Sequence, residues 1–209
     1  MKKIIWVFAI LPLWAVAGTN IDSDVASSTT WTKEGSPYIV TSSIHVDPGV
    51  TLSIEAGVEI QLNQRQGISI DGELNANGSK DNEIYLHPIS ETESWKGLSF
   101  NPGSKSNLAN LNIDHISQGL SFNNAVSSIE NLKFSSSTAG LFIYNNSNVK
   151  ISDSILQNIS NGQSVSVFDK AELAMDHSSI KNIENGSALS QQEKDSLVKI
   201  LEQLLNNFS

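Results

Sequence analysis

The sequence predicts an all-β fold: a right-handed parallel β-helix, or β-solenoid, of about seven coils followed by a C-terminal amphipathic α-helix. Three observations carry this. Glycines at 97, 119, 140, 162 and 186 recur in steps of 22, 21, 22 and 24 residues. Apolar residues sit one and three positions after the first three of them, as Leu98 and Phe100, Leu120 and Phe122, and Leu141 and Ile143. That is strand alternation, with one face inward and one outward. Beyond residue 188 the alternation stops and a helical spacing begins.

The chain opens with MKK, an apolar run IIWVFAILPLWAV and the small-residue triplet Ala15-Val16-Ala17. This order is that of a secretory signal peptide over residues 1–17, and the apolar run is short for a bilayer span. No cysteine follows it for lipid attachment. The expected address is therefore secreted, cell-surface or periplasmic, with no membrane insertion once the signal is removed. Residues 18–30 are expected to be an N-terminal linker or cap, and residues 31–188 the β-helix. The remainder is long enough for one sizeable domain.

Its formal charge of −9 becomes two units more negative as Lys2 and Lys3 leave with the signal. So acidic a surface does not suit nucleic acid or an anionic membrane, both of which need clustered Lys and Arg. Zero cysteines exclude disulfides and thiolate metal sites.

Within the repeat, a second apolar pair precedes each glycine: Leu111 and Ile113, Leu132 and Phe134, Val149 and Ile151, Leu173 and Met175. Ile116, Ile159 and Ile183 lie three residues before theirs. At Gly162 the following pair arrives two residues late, as Val165 and Val167. Two or three short strands per repeat, joined by Ser, Asn, Asp and Gly turns, cannot bury an inward row alone. Stacked at about 4.8 Å, such coils share one core in a rod on the order of 35 Å long. Asn101, Asn123 and Asn145 fall at matching turns, where Asn tolerates left-handed backbone and stacked amides bond along a ladder. That row is expected to be structural.

The segment before Gly97 contains PYIV, VDPGVTLSIEAGVEI, GELNANG and the step Trp95-Lys96-Gly97. These resemble the opening coils of secreted bacterial right-handed parallel β-helix proteins of the pectin-lyase-like superfamily, over about residues 31–188. The crossover rule for parallel strands favours the same hand. The resemblance implies surface proteins, adhesin segments and passenger-like modules, with polysaccharide lyases and hydrolases as a minority. Function must come from a site.

Polyuronate lyases on this fold use a basic residue to take a proton, often beside calcium. Arg65, in NQRQG, is the one arginine here, with no second to neutralise a uronate carboxylate. A hydrolase needs converging carboxylates. Asp114-His115 and Asp176-His177 are the acid–His neighbours, and adjacent strand residues face opposite ways. His45, His87, His115 and His177 lie on separate coils without ligand spacing. Asp71, Asp81, Asp153 and Asp169 occupy turn-like spots, where Asp is common for local backbone reasons; a weak calcium site between adjacent turns, made of carboxylates and carbonyls, stays open as the alternative. Threonines do not recur at the repeat period, which removes the rows of an ice-binding solenoid. Trp31 and Trp95 are expected to be structural, while Tyr144 and Phe168 are expected to face outward.

No catalytic, cofactor-binding or metal-binding residue is assigned, and no cofactor. The expected function is a non-catalytic extracellular or cell-surface module for binding or adhesion, its ligand a glycan or a protein. The alternatives are a polysaccharide-active lyase or hydrolase and a structural subunit that associates end to end.

Residues 189–209 are expected to form the capping helix. Ser190 and Glu193 make a capping box, and Leu197, Leu201, Leu204 and Phe208 follow on one face. This stripe is expected to cover the last coil near Leu173, Met175 and Ile183, or to serve self-association.

Overall fold

The computed structural model describes residues 18–160 and 164–181. The signal segment, Gly162, Ile183, Gly186 and the C-terminal helix of the sequence reading lie outside the described residues. Within them the chain is a parallel β-solenoid of about seven coils. Helix is almost absent there, a single 3-10 turn at Lys33–Gly35.

Each coil contributes three short strands, so three ribbons run along the stack. One ribbon is a six-stranded sheet: Ile44–Val46, Gly67–Ile70, Gly97–Phe100, Leu120–Asn123, Leu141–Tyr144 and Val165–Val167. A parallel bridge from Val25 to Val46 extends it by one rung. The other two ribbons form a 13-stranded sheet, joined where the long strands Lys105–Asp114 and Val126–Ser135 turn a corner. Strand pairing within the ribbons is parallel throughout, as coils stacked in one direction require.

The alternation read from the sequence sets the register. Phe100 pairs with Phe122 and Phe122 with Ile143, and all three are buried. Leu98, Leu120 and Leu141 make the parallel inward row. Val165 and Val167 pair with Leu141 and Ile143, so the late apolar pair keeps the register of the column. Trp95 is fully buried and donates its indole N–H to the Asp114 carbonyl at 2.8 Å. Trp31 stacks on Tyr38 with ring centroids 4.8 Å apart. Both tryptophans are structural.

Residues 18–30, expected as linker or cap, contain two strands of the stack. Thr19–Ile21 pairs with Tyr38–Val40, and Thr29–Trp31 with Thr51–Ile54. Three-residue strands rich in threonine pair through their backbones but carry too few apolar residues to show alternation.

The corners are built from left-handed residues. Asn110 (φ 53°), Asn131 (φ 50°), Asp153 (φ 51°) and His177 (φ 45°) follow one another up the corner between the two ribbons of the large sheet. His115 (φ 53°), Ser136 (φ 51°) and Asn158 (φ 54°) line the next corner. Serines placed one residue later close these turns. Ser154 Oγ accepts the Leu132 N–H at 3.0 Å from the neighbouring coil and donates to the Ser152 carbonyl at 2.7 Å. Ser137 does the same with Ile116 N–H and the Ser135 carbonyl. Backbone groups at a bend, which no ladder serves, are thereby satisfied.

The repeat glycines answer a packing demand. A β-carbon on Gly119 (φ 82°) would stand 2.1 Å from the Gly140 carbonyl oxygen, and one on Gly97 (φ 121°) 2.0 Å from that of Gly119. Adjacent coils approach too closely there for any side chain.

Candidate surface trough on the six-stranded sheet

The outward face of the six-stranded sheet carries a shallow trough of about 310 Å³. Its floor follows from the repeat itself. The residue two after each glycine points outward and is serine in three successive coils: Ser69, Ser99 and Ser121. Beside them the glycine column presents bare backbone. One rim holds Lys96 and Gln118, which immediately precede Gly97 and Gly119. His45 stands at one end and Tyr144 at the other.

At and just beyond the strand ends of this sheet, outside the trough's lining, side-chain amides pair between coils. Asn145 Nδ2 donates to Asn123 Oδ1 at 2.8 Å, and Asn101 Nδ2 donates to Asp71 Oδ1 at 2.8 Å. The expected Asn row therefore forms a ladder in two pieces, and Asp71 heads the first. Asp71 Oδ2 also lies 3.3 Å from His45 Nδ1. Tyr144 and Phe168, expected outward, are half-buried and stack with centroids 6.0 Å apart. The trough thus offers serine hydroxyls, the Gln118 amide, one ammonium, an imidazole and an aromatic edge over a small-residue floor. Such an inventory can hold a polar, extended ligand by hydrogen bonds and stacking.

The acid–His groups lie elsewhere. His115 and His177 sit at positive-φ corners of two different columns, each with Nδ1 beside its own preceding aspartate, at 3.2 and 3.1 Å. Asp114 Oδ1 is buried and makes no hydrogen bond; its 3.2 Å approach to His115 lacks hydrogen-bond alignment. His87 Nδ1 faces the Pro88 carbonyl at 2.9 Å, and Nε2 faces Glu59 Oε1 at 2.9 Å. A ring with both nitrogens engaged has neither left for a substrate. The structure brings none of the four histidines together, and among the described residues no three His, Asp or Glu side chains gather as metal ligands.

Arg65 occupies an exposed turn with φ 61°, its backbone N–H donating to the Ser94 carbonyl at 3.1 Å. It is not among the trough residues. A second concavity, about 560 Å³, follows the Asn110–Asn131 corner. Its charges are mixed, and Lys133 Nζ meets Glu83 Oε1 at 2.5 Å.

Sequence reasoning missed the trough as a site. Its one signal was the serine repeated two places after Gly67, Gly97 and Gly119, unremarkable in each strand alone. Sequence reasoning also missed the second amide ladder, in which Asn131 Nδ2 donates to Asn110 Oδ1 at 2.6 Å and Asn110 Nδ2 to the Gly78 carbonyl at 2.9 Å.

Fold and trough together define a parallel β-solenoid with a polar surface groove. A stretch of 58 residues, 28% of this chain, is 38% identical to Protein bark beetle of Drosophila melanogaster. That stretch spans 2% of the length of the Drosophila protein. No family model matches the chain, and no solved structure matches it.

Proposed function

We propose that this chain is an exported, non-catalytic binding module that holds an extended glycan along the outer face of its six-stranded sheet. The observation that carries this reading is the serine floor of Ser69, Ser99 and Ser121 beside the Lys96/Gln118 rim. A hydroxyl-rich polymer matches such a row of small donors and acceptors, and Tyr144 gives one ring for stacking. The signal-peptide pattern of residues 1–17 supports export to the periplasm, the cell surface or the medium. In this reading the solenoid is right-handed, as parallel crossovers prefer, and belongs with the pectin-lyase-like β-helices. Residues 190–208 form its C-terminal amphipathic helix.

The test is retention of the mature chain on an array of insoluble and soluble polysaccharides. Ser99→Tyr, which fills the floor, is expected to abolish retention without lowering the melting temperature, and Tyr144→Ala to weaken retention. Retention that survives Ser99→Tyr, or release of oligosaccharides from a retained polymer, would overturn the reading. Export is tested by N-terminal sequencing of the secreted product, which should begin at Gly18.

A further inference from the structure

Two successive repeats differ in character on one face. GLSFN, from Gly119, and GLFIY, from Gly140, lie rung against rung in the six-stranded sheet: Leu120 on Leu141, Ser121 on Phe142, Phe122 on Ile143 and Asn123 on Tyr144. The inward positions stay apolar and buried. The outward positions change from Ser and Asn to Phe and Tyr. Core packing does not call for that change, because outward side chains of a strand do not enter the core.

The change falls where the trough ends. Its floor runs His45, Ser69, Ser99 and Ser121, across three coil spacings of roughly 14 Å together. The next outward residue in the column is Phe142. Its ring leans back toward the floor: Cε2 lies 3.1 Å from where a β-carbon on Gly119 would stand, and Gly119 lines the trough. Tyr144 stands two residues along the same strand, on the same face, and stacks on Phe168 with centroids 6.0 Å apart. The two rings set an aromatic bar across this end. At the other end the lining finishes on Ser43 and His45, and the His45 side chain is 52% exposed.

We infer that Phe142, flanked by Tyr144, is the stop of this trough, so that the trough receives the end of a polymer chain rather than an interior stretch. This rests on the glycan reading given above. A chain that continues past Ser121 must climb over the Phe142 ring, which lifts the units before it off the serine hydroxyls. The hydrogen bonds that hold the ligand are then lost. A chain that ends against the ring keeps them, and its last unit lies beside Tyr144. The exposed His45 end lets the rest of the chain run out into solvent. Phe142 is thus a specificity-determining residue that selects termini.

The experiment counts protein molecules bound per mass of polymer. The probes are soluble β-glucan and polygalacturonate, each intact and after mild acid hydrolysis, titrated with the purified protein by isothermal calorimetry. Hydrolysis multiplies chain ends at constant mass, so the bound number should rise in step with the ends. Phe142→Ser, which repeats the Ser121 rung, should raise binding to the intact polymer several-fold, and Phe142→Tyr, which keeps the ring, should bind as the parent does. Capacity that ignores hydrolysis, or that Phe142→Ser leaves unchanged on the intact polymer, would overturn the stop. Should Phe142→Ser fail to fold, as circular dichroism would show, the hydrolysis series on the parent chain decides alone. Binding of none of the four probes would also overturn the stop, and a blank polysaccharide array besides would remove the glycan reading itself. The two failures differ: a retained polymer whose capacity ignores its ends leaves a binding module without a stop.

Discussion

Phe100 and Phe122, from successive coils, stack with parallel rings and centroids 4.7 Å apart. That separation is the strand spacing itself, so the rings pack because the coils stack. Phe122 is fully buried and is followed in its row by Ile143. Truncating it opens a cavity that the rigid coils on both sides cannot close. Phe122→Ala should destabilise the protein by about 3–5 kcal/mol. Urea unfolding monitored by far-UV circular dichroism measures this, and a loss under about 1 kcal/mol would contradict the assigned burial.

Two glycines with similar dihedral angles should respond differently to one methyl group. Gly103 (φ 88°) has nothing within 4 Å of a built β-carbon, whereas at Gly119 (φ 82°) that atom would stand 2.1 Å from the Gly140 carbonyl oxygen. Gly103→Ala bears only left-handed strain, about 1 kcal/mol. Gly119→Ala must also push two coils apart and should cost several times as much. Equal melting-temperature losses for the two variants would mean that coil contact is not what demands glycine at 119.

The coil count and the inward row were legible because period and alternation are properties of single residues read in order. Leu98, Phe100, Leu120 and Phe122 declare themselves in that way. The first coil was not, because Thr19–Ile21 and Thr29–Trp31 are held by backbone pairing and leave little side-chain pattern. The trough was hidden for another reason. Ser69, Ser99 and Ser121 become a surface only once register sets them side by side, and a serine two residues after a glycine looks like an ordinary outward position. The acid–His neighbours were read through strand alternation, which does not describe them: His115 and His177 both adopt positive φ at corners of the coils.

The corner ladder separates two contributions of one side chain. Asn131 adopts φ 50° and donates to Asn110 Oδ1 at 2.6 Å. Asn131→Gly keeps the backbone conformation and loses the hydrogen bond, a cost of about 1 kcal/mol. Asn131→Ala loses the bond and adds left-handed strain, so it should cost about 2–3 kcal/mol. The order Asn, Gly, Ala in decreasing stability is the expected result of thermal melts. Finding Ala at least as stable as Gly would show that the backbone relaxes out of the left-handed region at this corner.

Catalysis gives the last expectation. Arg65 is the one arginine, and it sits on an exposed turn outside the trough residues. Lys96 is the one lysine on the trough, and no carboxylate is among the residues lining it with Lys96. Proton abstraction from a uronate needs a base positioned by charge partners, and glycoside hydrolysis needs two carboxyl groups across the scissile bond. Neither set is assembled there. The purified protein, with calcium present, should therefore leave polygalacturonate, alginate and neutral glucans at their starting length over a long incubation, as read by reducing-end and unsaturated-product assays. Arg65→Ala should change neither that result nor polysaccharide retention, whereas Lys96→Ala should weaken retention of an acidic polymer alone. Turnover that Lys96→Ala abolished would make the trough an active site, turnover that Arg65→Ala abolished would place one at its exposed turn, and with either the binding-module reading would fall.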